Sequence, residues 1–221
     1  MKKFIAIIYF LQFSIAIFAQ EKHELKIEDL WNMKRIGSFT VSPDGNKIIF
    51  DVTTYNMEEN KGNSDLWIIN SDGKEQREFL NIEKSVSSPQ IIGGKVFYYL
   101  NNQLYSQNID DSAKTKITDL YSGVSGAKFS PSNKKIIFPS QVYADCKNQT
   151  CNKAKDLERA NSKVKAEMFT ELMYRHWNDW RGPKFSHLFI FDFETKNYID
   201  LTQGLKFDVP PIALGSASDY S

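Results

Sequence analysis

The side chains best suited to chemistry crowd into one stretch. Arg175, His176, Trp177, Asp179 and Trp180 fall within six consecutive positions. Two indole rings beside a guanidinium could wall a ligand cavity, the rings covering an apolar group and Arg175 meeting a carboxylate. Large aromatics can equally pin a loop to its scaffold, and the residues alone leave both readings open. Just upstream, Glu167 and Glu171 stand four apart, which puts them on one face if the segment is helical. Lys163 and Arg175 share that face, so a solvated ladder of ion pairs is one account of the acidic pair.

Covalent and metal chemistry are not written here. A serine hydrolase needs its nucleophile on a Gly-x-Ser-x-Gly elbow. The nearest serine-and-glycine run is Gly215-Ser216-Ala217-Ser218. His23, His176 and His187 lack a matching Ser and Asp set, so no catalytic residue is assigned. Asp44 and Asp72 stand in turns without the spaced oxygens of a calcium loop. Gly93-Gly94 has no helix after it to cradle a phosphate. Neither a cofactor nor a metal is expected.

The 221 residues carry 28 Lys plus Arg against 27 Asp plus Glu, a net charge of +1. That balance argues against nucleic acid as a partner. Lys2 and Lys3 precede Phe4 to Phe18, an apolar stretch of about 15 residues, short of the roughly 20 that a spanning helix needs. Ala19 supplies a small residue before a cut, so residues 1–19 read as a signal peptide and Gln20 as the mature start. The expectation is an exported protein, periplasmic or extracellular, with no membrane span after cleavage. In an oxidising compartment Cys146 and Cys151, five apart in a polar loop, read as a disulfide. Zinc is the weaker reading, since no second Cys pair or nearby His completes a tetrahedral set.

The elements that must position these residues follow a repeat. Ser42-Pro43, Ser88-Pro89 and Ser130-Pro131 each precede an apolar run, about 46 and then about 42 residues apart, the length of one four-stranded propeller blade. A second strand recurs as Leu66-Trp67-Ile68-Ile69, Leu104-Tyr105-Ser106-Gln107 and Leu188-Phe189-Ile190-Phe191. A closed ring needs roughly four to eight blades. The fold class is therefore all-β, an incomplete β-propeller of about three blades spanning 20–221, with the repeat stopping mid-blade. Within the third unit the apolar period lengthens to near 3.6 through Leu157, Ala160, Val164, Met168 and Leu172, which predicts an amphipathic helical insertion over about 153–180. A short helix from Asp29 to Arg35, stopped at Gly37, is predicted ahead of the first strand. Tyr55 to Ser64 reads as a polar connection, and Trp31 and Trp67 as core.

Leu30-Trp31-Asn32-Met33-Lys34-Arg35-Ile36-Gly37, Val41-Ser42-Pro43-Asp44-Gly45, Gly62-Asn63-Ser64-Asp65-Leu66-Trp67 and Tyr174-Arg175-His176-Trp177-Asn178-Asp179-Trp180 resemble secreted bacterial S9 (prolyl oligopeptidase) serine peptidases. Within that family the likeness is to dipeptidyl peptidase V and acylaminoacyl-peptidase-like enzymes. The resemblance implies an N-terminal propeller that screens short peptides on their way to a C-terminal α/β-hydrolase domain, which these 221 residues do not contain. It also implies a homodimer for the full-length protein. Some family members hold the substrate's α-ammonium group with acidic residues in a propeller insertion. On that ground Glu167 and Glu171 are candidate substrate-binding residues, with Arg175, Trp177 and Trp180 beside them. The alternative, which the Ser-Pro repeats alone would allow, is a periplasmic propeller that binds a partner or glycan without catalysis.

Overall fold

The run Lys47-Ile48-Ile49-Phe50 returns as Lys135-Ile136-Ile137-Phe138, and both become the second strand of a four-stranded antiparallel sheet. A computed structural model describes residues 23–170, 172, 174–212 and 214–221. The leader expected over 1–19 lies outside these residues, as does Glu171. Helix α1 (Ile27–Asn32) leads into the first sheet, β1 (Arg35–Val41), β2 (Lys47–Asn56), β3 (Lys61–Asn70) and β4 (Arg77–Leu80), paired in that order. The second holds β5 (Val86–Ile92), β6 (Lys95–Leu100), β7 (Gln103–Asn108) and β8 (Lys114–Lys116). In the third, β9 (Lys128–Phe129) pairs with β10 (Lys135–Val142). The chain then detours through helix α2 (Gln149–Asn161) and a hairpin, β11 (Arg175–His176) and β12 (Asp179–Trp180), before β13 (Phe185–Asp192) and β14 (Tyr198–Asp200) complete the sheet. These are three propeller blades that do not close a ring. The third has its four strands, and the described residues after it form no further strand.

Neighbouring blades meet through two apolar cores. Ile49, Leu66 and Ile68 of the first blade bury against Val86, Ile91, Val96 and Tyr98 of the second. On the other face of the second blade, Phe97 and Leu104 bury against Ile136, Phe138, Phe189 and Phe191 of the third. Strand side chains alternate in direction, so Val96 and Phe97 serve different cores. Each such side chain contributes about 1.5–3 kcal/mol of burial.

The Ser-Pro steps do two different jobs. Ser42 and Ser130 open the turn between first and second strands. Their hydroxyls accept from the Lys47 amide at 2.9 Å and the Lys135 amide at 3.1 Å. Ser88-Pro89 instead lies inside β5, at a bulge where pairing slips between Ser87 and Gln90. Proline is tolerated there because a bulged residue donates nothing to the ladder. The first blade has its bulge at Gly37-Ser38, with the Ser38 amide donating to Asp51 at 3.0 Å. A Cβ on Gly37 would collide with the Asp51 carboxylate. Gly37 is thus a strand residue rather than a helix stop. Helix α1 ends at Asn32, and Arg35 lies beyond it, donating to the Leu30 carbonyl at 3.3 Å.

Other expectations need correction. The polar stretch 55–64 is mostly strand, because β2 and β3 continue as a long hairpin tied by polar cross-strand pairs such as Thr53–Ser64, whose hydroxyl oxygens are 2.7 Å apart. Trp31 and Trp67 are only half-buried: Trp31 meets Tyr55 edge-on, and Lys34 lies over the Trp67 ring. Among its described residues the insertion is helical only over Gln149–Asn161. Asn148 caps it by accepting from the Cys151 amide at 2.9 Å, and Ser162 ends it. Beyond Ser162 the apolar residues Val164, Met168 and Leu172 are exposed, so no packing surface sustains a longer helix.

Chain direction sorts the connections to two ends of the blades. Turns such as Pro43–Asn46, Gly93-Gly94 and Pro131–Lys134 share one end and are polar or glycine-rich. The insertion, the β2–β3 and β6–β7 turns, α1 and the links between blades share the other. That end exposes Leu25, Ile27, Met33, Met168, Leu172 and Trp177.

Candidate functional site

The insertion is the part of the chain that departs from the blade plan, and its base is fastened by charge. Asp156, on α2, accepts from the Tyr121 hydroxyl at 3.0 Å, the Tyr143 hydroxyl at 3.1 Å and Lys184 Nζ at 2.6 Å. Partial burial pushes its carboxyl up, but the bonds from Lys184, Tyr121 and Tyr143 outweigh that and hold it below the ordinary carboxylate range. The same contact pushes the Tyr121 hydroxyl up. Where the hairpin rejoins the blade, Arg181 pairs with Asp208 at 3.1 Å, and Asp208 also accepts from the Ser186 amide at 2.7 Å. Cys146 and Cys151 are joined, closing the loop that carries the helix cap. Asn152, buried on that helix, accepts from the Tyr143 amide at 2.8 Å. Apart from the cysteine pair, these fastenings have no local spacing that a reading of the sequence could find. Tyr121 and Asp156 are 35 positions apart.

Above this base the aromatics form a cluster of their own. Trp180 stacks on Phe169 at 5.8 Å and on Tyr174 at 6.3 Å, and the Arg175 guanidinium lies 5.7 Å from the Trp180 ring centre. The Arg181 amide donates to the Tyr174 carbonyl at 2.8 Å, extending the hairpin by one pair. Trp180 remains 62% exposed and Trp177 84% exposed. The indoles therefore do not pin the insertion to the propeller; the ion pairs and tyrosines do.

The structure separates the acidic candidates from the aromatic ones. Glu167 lies outside any helix and pairs with Arg159, on the last turn of α2, so the shared helical face expected for Glu167, Lys163 and Arg175 does not form. Arg175 and Trp180 come together, while Trp177 stands apart at the hairpin tip. There it takes a left-handed φ of 51°. A bulky side chain in that region costs about 1–3 kcal/mol.

His187 has the pairing of a catalytic base without a nucleophile. It is 1% exposed, with Nδ1 2.8 Å from an Asp200 oxygen and Nε2 2.9 Å from the Leu205 carbonyl oxygen. Both ring nitrogens are occupied, and the neighbouring Ser186 hydroxyl donates to the Val209 carbonyl. Together these bonds fasten β13 to β14 and to the chain that follows it. Among the described residues, no group of three or more His, Cys, Asp or Glu could hold a metal ion. A groove of about 450 Å³ runs between the disulfide loop and β14, lined by Lys147, Asn148, Lys196 and Asp200 among others, and includes no hairpin residue. No helix among the described residues is long and apolar enough to cross a membrane.

Comparison with known proteins places this arrangement. No family model matches the chain. Dipeptidyl-peptidase 5 of Porphyromonas endodontalis is 28% identical over 203 residues, which is 88% of this chain and 28% of that protein. Dipeptidyl-peptidase 5 of Porphyromonas gingivalis is 24% identical over 199 residues, 86% of this chain and 28% of that protein. The chain thus spans 28% of the length of either relative. Among solved structures, the acylaminoacyl peptidase of Pyrococcus horikoshii superposes with a TM-score of 0.59 and 11% identity, covering 80% of this chain and 26% of that one. At that identity the likeness concerns the fold.

Proposed function

We infer, from a chain related to the propeller portion of S9-type peptidases, that it forms the non-catalytic propeller part of an exported serine peptidase acting on short peptides. The observation that carries this reading is the alignment of 88% of the chain with a dipeptidyl-peptidase. Two features support it. The leader-like composition of residues 1–19 suits export. The concentration of exposed apolar side chains at the insertion-bearing end suits contact with another domain, while the polar turns at the opposite end suit water.

In this reading the nucleophile, base and oxyanion hole reside in an α/β-hydrolase domain outside the 221 residues. The propeller restricts which peptides reach it, and the insertion stands at the approach. The full-length gene product should release dipeptides or acylated residues from short peptides, while residues 20–221 alone should hydrolyse none. Chromatography of the digests decides it. No hydrolysis by the full-length protein, or turnover by the isolated 221-residue product, would overturn the assignment.

A further inference from the structure

We propose that Trp177 selects a bulky apolar side chain of the peptide substrate, a role that rests on the peptidase reading above. Pairing of Arg175 with Trp180 and of His176 with Asp179 leaves Trp177 and Asn178 as a two-residue turn. Such turns favour glycine or asparagine at left-handed positions, because a larger side chain there crowds its own backbone. Here the left-handed position holds tryptophan, with φ 51°. Its ring is 84% exposed, and among the described residues its one aromatic neighbour is His176, met edge-on at 6.3 Å. Among the described residues nothing offsets either the strain or the exposed indole. Both are expected where a side chain is held out for something that arrives.

The surroundings suit one apolar group rather than a bilayer. His176, Asn178 and Asp179 give the indole a polar rim, the make-up of an anchor for a single side chain. A membrane-seeking tip would carry several adjacent apolar residues and basic ones, without an aspartate two positions on. The tip is also preorganised. Trp180 is stacked on Phe169 and Tyr174, and Arg181 and Lys184 tie the stem to Asp208 and Asp156, so little ordering remains for binding to supply.

Trp177→Gly in the full-length protein separates this role from a structural one, since glycine accepts the backbone conformation and the variant's Tm should not fall. Matched short peptides, with Ala or Phe at each position near the scissile bond, give the KM ratio of small to bulky substrate. That ratio should favour the bulky peptide in the parent and drop about tenfold in the variant, equivalent to ~1.4 kcal/mol. Trp177→Phe should retain most of it. An active Trp177→Gly protein with the parental ratio overturns the selector role while leaving the peptidase reading standing. So does an intact ratio accompanied by loss of binding to anionic vesicles or by a changed oligomeric state. A parent protein that cleaves no peptide overturns both readings together.

Discussion

A histidine with an acceptor on each ring nitrogen is a structural group, whatever its neighbours in sequence suggest. His187 reaches Asp200 and the Leu205 carbonyl from a site 1% exposed, and the Asp200 side chain is itself only 14% exposed. Removing the imidazole takes a partner from the half-buried Asp200 carboxylate, which keeps the Thr202 amide at 3.0 Å, and from the Leu205 carbonyl. A shielded polar group left without its hydrogen-bond partner costs about 1–3 kcal/mol. His187→Leu should lower stability by that amount in denaturant unfolding followed by near-ultraviolet circular dichroism. A loss under about 1 kcal/mol would show that Asp200 finds water instead. The sequence displays His187 at a strand start, but its partner appears only once β13 and β14 are paired, with Phe189 opposite Asp200. Trp177 is similar: the Arg175–Trp180 cluster is visible as text, whereas the left-handed backbone of one member is not.

At the scale of elements, α2 and the hairpin hang from Asp156. A carboxylate held below the ordinary value of 3.8 by its partners adds stability that is complete above that value and is lost as pH falls through its lower folded value. Asp156→Asn should therefore remove part of the acid dependence of stability below about pH 4. At neutral pH it should cost about 1.5–3 kcal/mol, the worth of hydrogen bonds to a charged group. Amide exchange should quicken in Gln149–Asn161 more than in the blades. Equal exchange in both forms would mean that the disulfide loop and Asn152 suffice to dock the helix. The strands were legible in the sequence because Ile-Ile-Phe runs between turn residues admit few other readings. The helix was displaced because its start depends on Asn148 as a cap, not on the apolar period, which continues into residues that find nothing to pack against. The hairpin 55–64 was missed for the opposite reason. Its strands are polar on both faces and carry no period to read.

Across the whole molecule, the strands of the two outer blades are apolar on both faces, which only burial on both faces explains. In the first blade Thr40, Ile49 and Ile68 face the second blade, while Phe39, Phe50 and Trp67 align across the opposite flank. In the third, Ile136 and Phe191 are buried towards the second blade, while Ile137, Ile190 and Ile199 align on the outer flank. Phe39 is 68% exposed and Ile199 56% exposed, so each flank is an apolar sheet face without a neighbour among the described residues. Such faces drive association, and sheet edges template it. Residues 20–221 prepared alone should associate with rising concentration in sedimentation equilibrium. Ammonium sulfate should strengthen the association, because excluded salts favour burial. Phe39→Lys and Ile199→Lys should each shift the chain towards monomer by placing a charge in one flank, and the pair should do so more than either alone. The unlike flanks predict head-to-tail contact, which extends instead of closing, so the products should form a ladder of sizes rather than a single dimer. A sharply melting monomer at every concentration would show that these flanks are stable in water, and the argument from their double-sided apolar strands would fail.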